Sequence, residues 1–166
     1  HAPQGTVAAV VLRVIDEADA ALVLSQVEEE MHNWEGEGLY AVAAQVGTKL
    51  VAARRKHDGA RHVRTLETML AAASALVRNG QYAQAEALER EVLEARREVH
   101  GPRHPETLAT MSNLADTLSR LGRYAEAEAM QREALEAKRE VHGPRHPETL
   151  AAMSNLADTL SLLGQY

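Results

Sequence analysis

Histidines are the side chains of this sequence that recur at a spacing suggestive of chemistry. His100 and His104 stand four positions apart, and an identical pair follows 42 residues later. On a continuous helix such a pair could share a metal ion. Gly101 and Pro102 interrupt the segment, so helical geometry does not apply to it. We therefore predict that the imidazoles bond to helix ends, and we expect no metal site. The recurring histidines are His57, His62, His100, His104, His142 and His146.

Other catalytic arrangements do not stand out in the sequence. It contains no cysteine for thiolate chemistry, and no glycine-rich phosphate loop, Ser-His-Asp order or carboxylate pair can be identified. We therefore expect a protein that is not an enzyme and that needs no cofactor. The absence of cysteine is compatible with a reducing compartment, so we expect a cytoplasmic location.

The charge balance excludes two classes of partner. The formal net charge is −6, whereas nucleic acids and anionic membrane surfaces both attract clusters of Lys and Arg. No apolar run approaches the roughly 20 residues of a membrane span. We therefore expect no nucleic-acid partner and no membrane partner.

Composition predicts an all-α fold. Apolar residues make up 45% of the 166 residues, yet aromatic residues make up only 3% and Phe is absent. Alanine and leucine, which dominate, are strong helix formers, whereas strands favour β-branched and aromatic residues. The length fits one domain.

An internal repeat organises the helices. The segment "GPRHPETLATMSNLADTLS" (101–119) recurs as "GPRHPETLAAMSNLADTLS" (143–161), and the two differ only at Thr110 and Ala152. A period of 42 residues is typical of a solenoid of stacked units. We predict one solenoid domain over 1–166, made of a partial or capping helix (1–14), a degenerate repeat (15–56), two repeats (57–98, 99–140) and a truncated repeat that contributes only its first helix (141–166).

Each full repeat is predicted to be an antiparallel helix pair. Pro105 suits a first helical turn, and Gly122 suits the left-handed residue that ends a helix. The second helix begins near Tyr124 and stops before Gly143. The apolar positions follow the i, i+3, i+4 pattern of a buried helical stripe. In the first helix they are Leu108, Met111, Leu114, Ala115 and Leu118; in the second they are Tyr124, Ala127, Met130 or Gln131, Ala134, Leu135 and the stem of Lys138.

The segment "NLADTLSRLGRYAEAEAMQREAL" resembles the tetratricopeptide repeat. It has the small residue of the first helix, the Gly-x-Tyr turn and the spaced alanines of the second helix, and the glycine recurs at Gly80, Gly122 and Gly164. The 42-residue period and "GPRHPETLATMSNLA" are similar to the repeats of kinesin light chains. Similar repeats also occur in sensor arrays of signal-transduction NTPases. The resemblance implies an α-solenoid, wound as a right-handed superhelix, whose first helices line a concave groove.

The resemblance also implies which positions face that groove. It implies that Asn113 and Asn155 bind the backbone of an extended peptide, because a carboxamide offers both a hydrogen-bond donor and an acceptor. Alternatively, these two asparagines brace a neighbouring helix. Asp116 and Asp158 would form an acidic stripe that favours basic or amide-rich peptides, or simply a solvated face. The implied groove residues are Ser112, Asn113, Asp116, Ser119, Arg120, Ser154, Asn155, Asp158, Ser161, Ser74 and Arg78.

Three functions agree with these patterns. The leading one is a non-enzymatic scaffold that binds a protein or peptide in the groove. A second is a sensor or regulatory array of a larger signalling NTPase or enzyme. A third is a self-assembling solenoid, because the last copy leaves Leu156, Leu160 and Leu163 near an unfinished face that further chain or a second molecule would cover. Trp34 is expected in the core.

Overall fold

The computed structural model describes residues 39–164 and the single positions Arg13, Glu29 and Asn33. Residues 39–164 contain α-helices and no strand, as the composition predicts. The helices are α1 (Tyr40–His57), α2 (Val63–Arg78), α3 (Tyr82–His100), α4 (Pro105–Arg120), α5 (Tyr124–His142) and α6 (Pro147–Leu162). Trp34, and with it the prediction that it is buried, lies outside the described residues.

Histidines begin three of the helices. His62, His104 and His146 have extended backbones and occupy the N-cap positions of α2, α4 and α6. In each, the ring Nδ1 accepts a hydrogen bond of 3.3 Å from the amide two residues later. An N-cap acceptor satisfies one of the amides that the first helical turn leaves unpaired. The prediction that these imidazoles bond to helix ends is therefore confirmed.

Gly122 ends the fourth helix. Its φ of +75° lies in the left-handed region, which side chains other than glycine rarely adopt. The turn returns two hydrogen bonds to the helix, from the Gly122 amide to the Ser119 carbonyl and from the Arg123 amide to the Leu118 carbonyl. This geometry closes α4 and lets α5 begin at Tyr124, as the Gly-x-Tyr pattern predicts.

The chain divides into two compact units, one up to Leu88 and one from Glu89. In the first unit α1 packs against α2. The core is made mostly of small side chains, which allow the two backbones to approach closely. Its buried residues are Ala43, Ala44, Val46, Leu50, Ala73, Ala75, Leu76 and Ala85.

In the second unit α5 packs against both α4 and α6. The predicted apolar stripe of α4 is buried together with Ala127 and Ala134 of α5. The matching positions of α6 differ, because Leu150 is 52% exposed whereas Leu108 is 1% exposed. Burial in this unit therefore depends on which helix covers a face as well as on the sequence of that face. The division of the chain into repeats stays a prediction.

Candidate functional site

The predicted groove positions of α4 form an exposed polar face. Asn113, Asp116 and Arg120 are exposed and follow one another at helical spacing. The Arg120 Nε donates to the Asp116 Oδ2 at 3.0 Å, so this carboxylate is paired on its own helix. Ser112 and Ser119 are half-buried beside this face, and each hydroxyl donates to a backbone carbonyl four residues earlier.

An open cleft of about 470 Å³ lies beside Asn113. We call it the α4–α6 cleft, since α4 and the first turn of α6 form its sides and the C-terminal part of α5 contributes Lys138. Neither Asn113 nor Asn155 makes a side-chain hydrogen bond to any residue in the part of the chain that the structure describes. Both alternatives for these carboxamides, binding a peptide or bracing a neighbouring helix, stay predictions. The cleft is lined by Pro105, Glu106, Ala109, Ser112, Asn113, Lys138 and Glu148.

Lys138 lies on the inner side of this cleft. Lys138 is only 8% exposed, and its Nζ donates to the Ser112 Oγ at 3.3 Å. That is its one side-chain hydrogen bond within residues 39–164. The sequence correctly predicted burial of the lysine stem, but it assigned no role to the ammonium group.

Two carboxylates stand at the outer edge of the α4–α6 cleft. Glu106 and Glu148 are about half exposed. The Glu106 Oε2 lies 3.6 Å from the Arg96 Nη2 and 3.8 Å from the His100 Nε2, and the Glu148 Oε2 lies 3.7 Å from the His142 Nε2. Each carboxylate is therefore associated with a neighbour on the helix that precedes it. Neither was among the predicted site residues.

A second, smaller pocket continues from Ser112 towards α6. Its volume of about 10 Å³ is enough for one water molecule at most. The buried Oε1 of Gln131, which lines this pocket, has no hydrogen-bond partner among the described residues. Ser112, Gln131, Ala134, Ala152 and Asn155 form the lining. Ser112 thus belongs to both openings and connects the surroundings of the two asparagines.

The other predicted site residues do not line these openings. Ser154, Asp158 and Ser161 are exposed on α6. Ser74 and Arg78 belong to the first unit, where the Arg78 guanidinium lies 5.5 Å from the centre of the Tyr40 ring. That distance fits a cation–π contact, which gives Arg78 a structural partner.

The titratable groups with clear pKa shifts lie elsewhere. A hydrogen bond with the His57 ring, and then one from Arg54, lowers the pKa of Asp58 below its usual value. A hydrogen bond from Arg123 lowers the pKa of Glu126. Both shifts reflect ion pairs at helix ends and not a reaction centre.

Four of the recurring histidines stack in two pairs. The ring centroids are 4.5 Å apart for His100 and His104, and 4.6 Å apart for His142 and His146. Across residues 39–164 no three His, Cys, Asp or Glu side chains are grouped as metal ligands would be. Nor is any helix of that range long and apolar enough to cross a membrane.

Comparison with known proteins gives a family match and several similar structures. Residues 64–140 and 106–166 match the tetratricopeptide repeat family. Two crystal structures of a Podosopora anserina kinesin light chain with nearly identical TPR-like repeats, one of them a single-residue variant, are similar with TM-scores of 0.83 and 0.82 at 21% identity. The similarity covers 95% of this chain and 77% and 78% of those chains.

A third similar structure is that of BtubC (BKLC) from P. vanneervenii. It has a TM-score of 0.77 at 15% identity, over 87% of this chain and 57% of that chain. At these identities the likeness shows a shared fold. No curated protein sequence is similar enough to count as a match.

Proposed function

The chain belongs to the tetratricopeptide repeat family, and from this premise we propose that it is a non-enzymatic scaffold that binds an extended peptide in the α4–α6 cleft. Tetratricopeptide repeats generally mediate protein–protein interactions, and kinesin-light-chain-like repeat proteins are typically non-enzymatic. The observation that carries the proposal is the exposed Asn113 carboxamide beside an open cleft, without a hydrogen bond to the described residues.

The chemistry of the asparagines suits a peptide backbone. A carboxamide can donate to a peptide carbonyl and accept from a peptide N–H at once. Because Asn113 is exposed, binding would exchange its bonds to water for bonds to the peptide, and each bond contributes modestly. The cleft volume of about 470 Å³ also falls within the range of about 300–1,000 Å³ that ligand sites occupy.

The charges on the rim support a protein partner more than a nucleic acid. Exposed carboxylates at Glu106 and Glu148 border the cleft, and they would repel phosphates. The acidic stripe predicted from Asp116 and Asp158 is weaker than the sequence suggests, since Arg120 pairs with Asp116. The inner lining of the cleft is therefore the better candidate for selecting the ligand.

Peptide titrations of matched variants test the proposal. We expect a library of short randomised peptides to bind the protein in a fluorescence polarisation assay. Asn113→Ala and Asn155→Ala should each weaken binding by about twofold to tenfold, the value of an ordinary hydrogen bond. Gln84→Ala, which removes an exposed carboxamide from α3, is the control and should leave binding unchanged. Unchanged peptide binding by both asparagine variants would exclude the α4–α6 cleft as the binding site.

Self-association through α6 is the second candidate function. Leu150 is 52% and Met153 41% exposed, one turn apart on this helix, and neighbouring exposed apolar residues often mark interaction surfaces. Sedimentation equilibrium would show a concentration-dependent oligomer that Leu150→Glu dissociates. A monomer at all concentrations would exclude self-association through α6.

The regulatory-array alternative and a cytoplasmic location remain predictions.

A further inference from the structure

A third opening lies between α4, α5 and the turn that precedes α4, and we call it the α4–α5 pocket. It shares no lining residue with the α4–α6 cleft. Its volume is about 220 Å³. That is far more than the ~30 Å³ of one water molecule and less than the roughly 300–1,000 Å³ of sites for whole small molecules. The size therefore suits one long side chain of a partner.

The walls of the α4–α5 pocket are largely apolar. Leu108 and Met111 are almost entirely buried, so they lie at its base. Pro102 is exposed and Ala137 is half-buried, and both also line the pocket. A side chain with a methylene stem would leave water by lying against these residues, while its polar end stays near the solvent.

The charged residues at the pocket differ in how they are paired. The Arg103 guanidinium pairs with the Glu140 carboxylate, and the Glu133 Oε1 accepts from the Arg97 Nη2 at 2.9 Å. Glu136 is exposed and has no ion pair or side-chain hydrogen bond with any residue that the structure describes. Within residues 39–164, the pocket therefore carries one negative charge that no neighbouring cation offsets.

We propose that the α4–α5 pocket binds an arginine side chain of a partner protein. The methylene stem of the arginine lies on the apolar wall, and its guanidinium meets the Glu136 carboxylate. A guanidinium is planar, has five N–H donors and is more weakly hydrated than an ammonium, so it suits a pocket that is part apolar and part acidic. Because this surface is separate from the α4–α6 cleft, arginine binding here goes beyond the proposed function.

The cation already present at the pocket does not reverse this preference. Arg103 is 64% exposed and is paired with Glu140, so its repulsion of a second guanidinium is offset and screened. Glu133 stands three positions before Glu136 on α5, and residues at this spacing lie on one face of a helix. Its carboxylate therefore adds to the attraction of a cation.

Nuclear magnetic resonance of the methionine methyl groups in the full chain tests arginine binding. The probes are two blocked alanine peptides that differ only in a central arginine or citrulline, which has nearly the same shape and no charge. The arginine peptide should shift the Met111 signal in a saturable way at low salt. It should bind about twofold to fivefold more tightly than the citrulline peptide, the value of an exposed ion pair. Met153, which is exposed on α6 and does not line the pocket, should give an unchanged signal.

Two variants that each remove one carboxylate test the role of Glu136. Glu136→Gln should make the two peptides bind equally. Glu94→Gln is the matched control, because Glu94 stands 42 residues earlier at the same repeat position on α3 and does not line this pocket. It should keep the difference between the peptides. Both glutamates are exposed, so both variants should keep the helical circular dichroism spectrum.

Three results would overturn arginine binding at the α4–α5 pocket. They are equal binding of the two peptides by wild type, a Met111 signal that moves with neither peptide, and a difference between the peptides that survives in Glu136→Gln. Failure of the proposed function would appear elsewhere, as peptide-library binding that Asn113→Ala and Asn155→Ala leave unchanged. Asn113→Ala should keep the Met111 response to the arginine peptide, so the two failures are distinguishable.

Discussion

Leu108 and Leu150 provide a matched test of how this protein is stabilised. Both follow the same "HPET" sequence at the start of a helix and are followed by alanine. Leu108 is 1% exposed and packs in the core of the second unit, whereas Leu150 is 52% exposed. Replacing each with alanine removes the same atoms from nearly the same local sequence. Helix propensity and unfolded-state effects therefore largely cancel in the comparison.

The expected losses follow from burial. Leu→Ala removes the equivalent of roughly three methylene groups, or about 2.4 kcal/mol when they are fully buried. A cavity adds to this loss, so Leu108→Ala should lower the free energy of unfolding by about 2–5 kcal/mol. At Leu150 about half of the transfer energy is at stake and no enclosed cavity forms, so the loss should be about 1 kcal/mol.

Urea unfolding followed by far-UV circular dichroism would measure both losses. Variants with unchanged slopes can be compared by their midpoints, and a change in slope would indicate that the repeats unfold in steps. Equal losses at the two positions, or a larger loss at Leu150, would refute the reasoning that burial of the side chain, 1% exposed at Leu108 and 52% at Leu150, determines how much each leucine contributes to stability.

Two further predictions concern helix ends. His104→Ala should lower the free energy of unfolding by about 1 kcal/mol, because α4 loses its N-cap acceptor. His104→Asn keeps an acceptor, so it should lose much less stability than His104→Ala. Equal losses of the two variants in urea titrations would exclude a capping role for His104. The lowered pKa of Asp58 means that its ionised form stabilises the fold above the unfolded value of 3.8 and that this contribution is lost as the pH falls through the lower folded pKa. Asp58→Asn should therefore be destabilising at neutral pH, and its difference from wild type in thermal unfolding midpoint should shrink steadily on acidification. A difference that is independent of pH would contradict the stabilising role of the ionised Asp58 carboxylate and its hydrogen bonds with His57 and Arg54.

Local signals in the sequence were sufficient to predict where the helices of the second unit begin and end and which face of α4 is buried. Gly122 has to adopt a left-handed conformation wherever it ends a helix, and His104 can cap only the helix that follows it. The stripe from Leu108 to Leu118 is buried because its spacing puts every member on one face. Each of these inferences depends on residues within a few turns of one another.

The candidate site required tertiary information. The sequence shows Lys138 near the end of a helix, but its contact with Ser112 spans 26 positions and depends on the packing of α5 against α4. The exposure of Leu150 likewise cannot be read from a pattern nearly identical to that around Leu108. The substitutions Arg96 to Lys138 and Thr110 to Ala152 are visible in the sequence, and comparing them in register would have drawn attention to this position.

Nuclear magnetic resonance of the side-chain amides during a peptide titration tests the central claim most directly. If a peptide occupies the α4–α6 cleft, the carboxamide signals of Asn113 and Asn155 should shift in a saturable way, while that of Gln84 stays constant. Shifts confined to the apolar face of α6 around Leu150 and Met153, with both asparagine signals unchanged, would contradict peptide binding in the α4–α6 cleft.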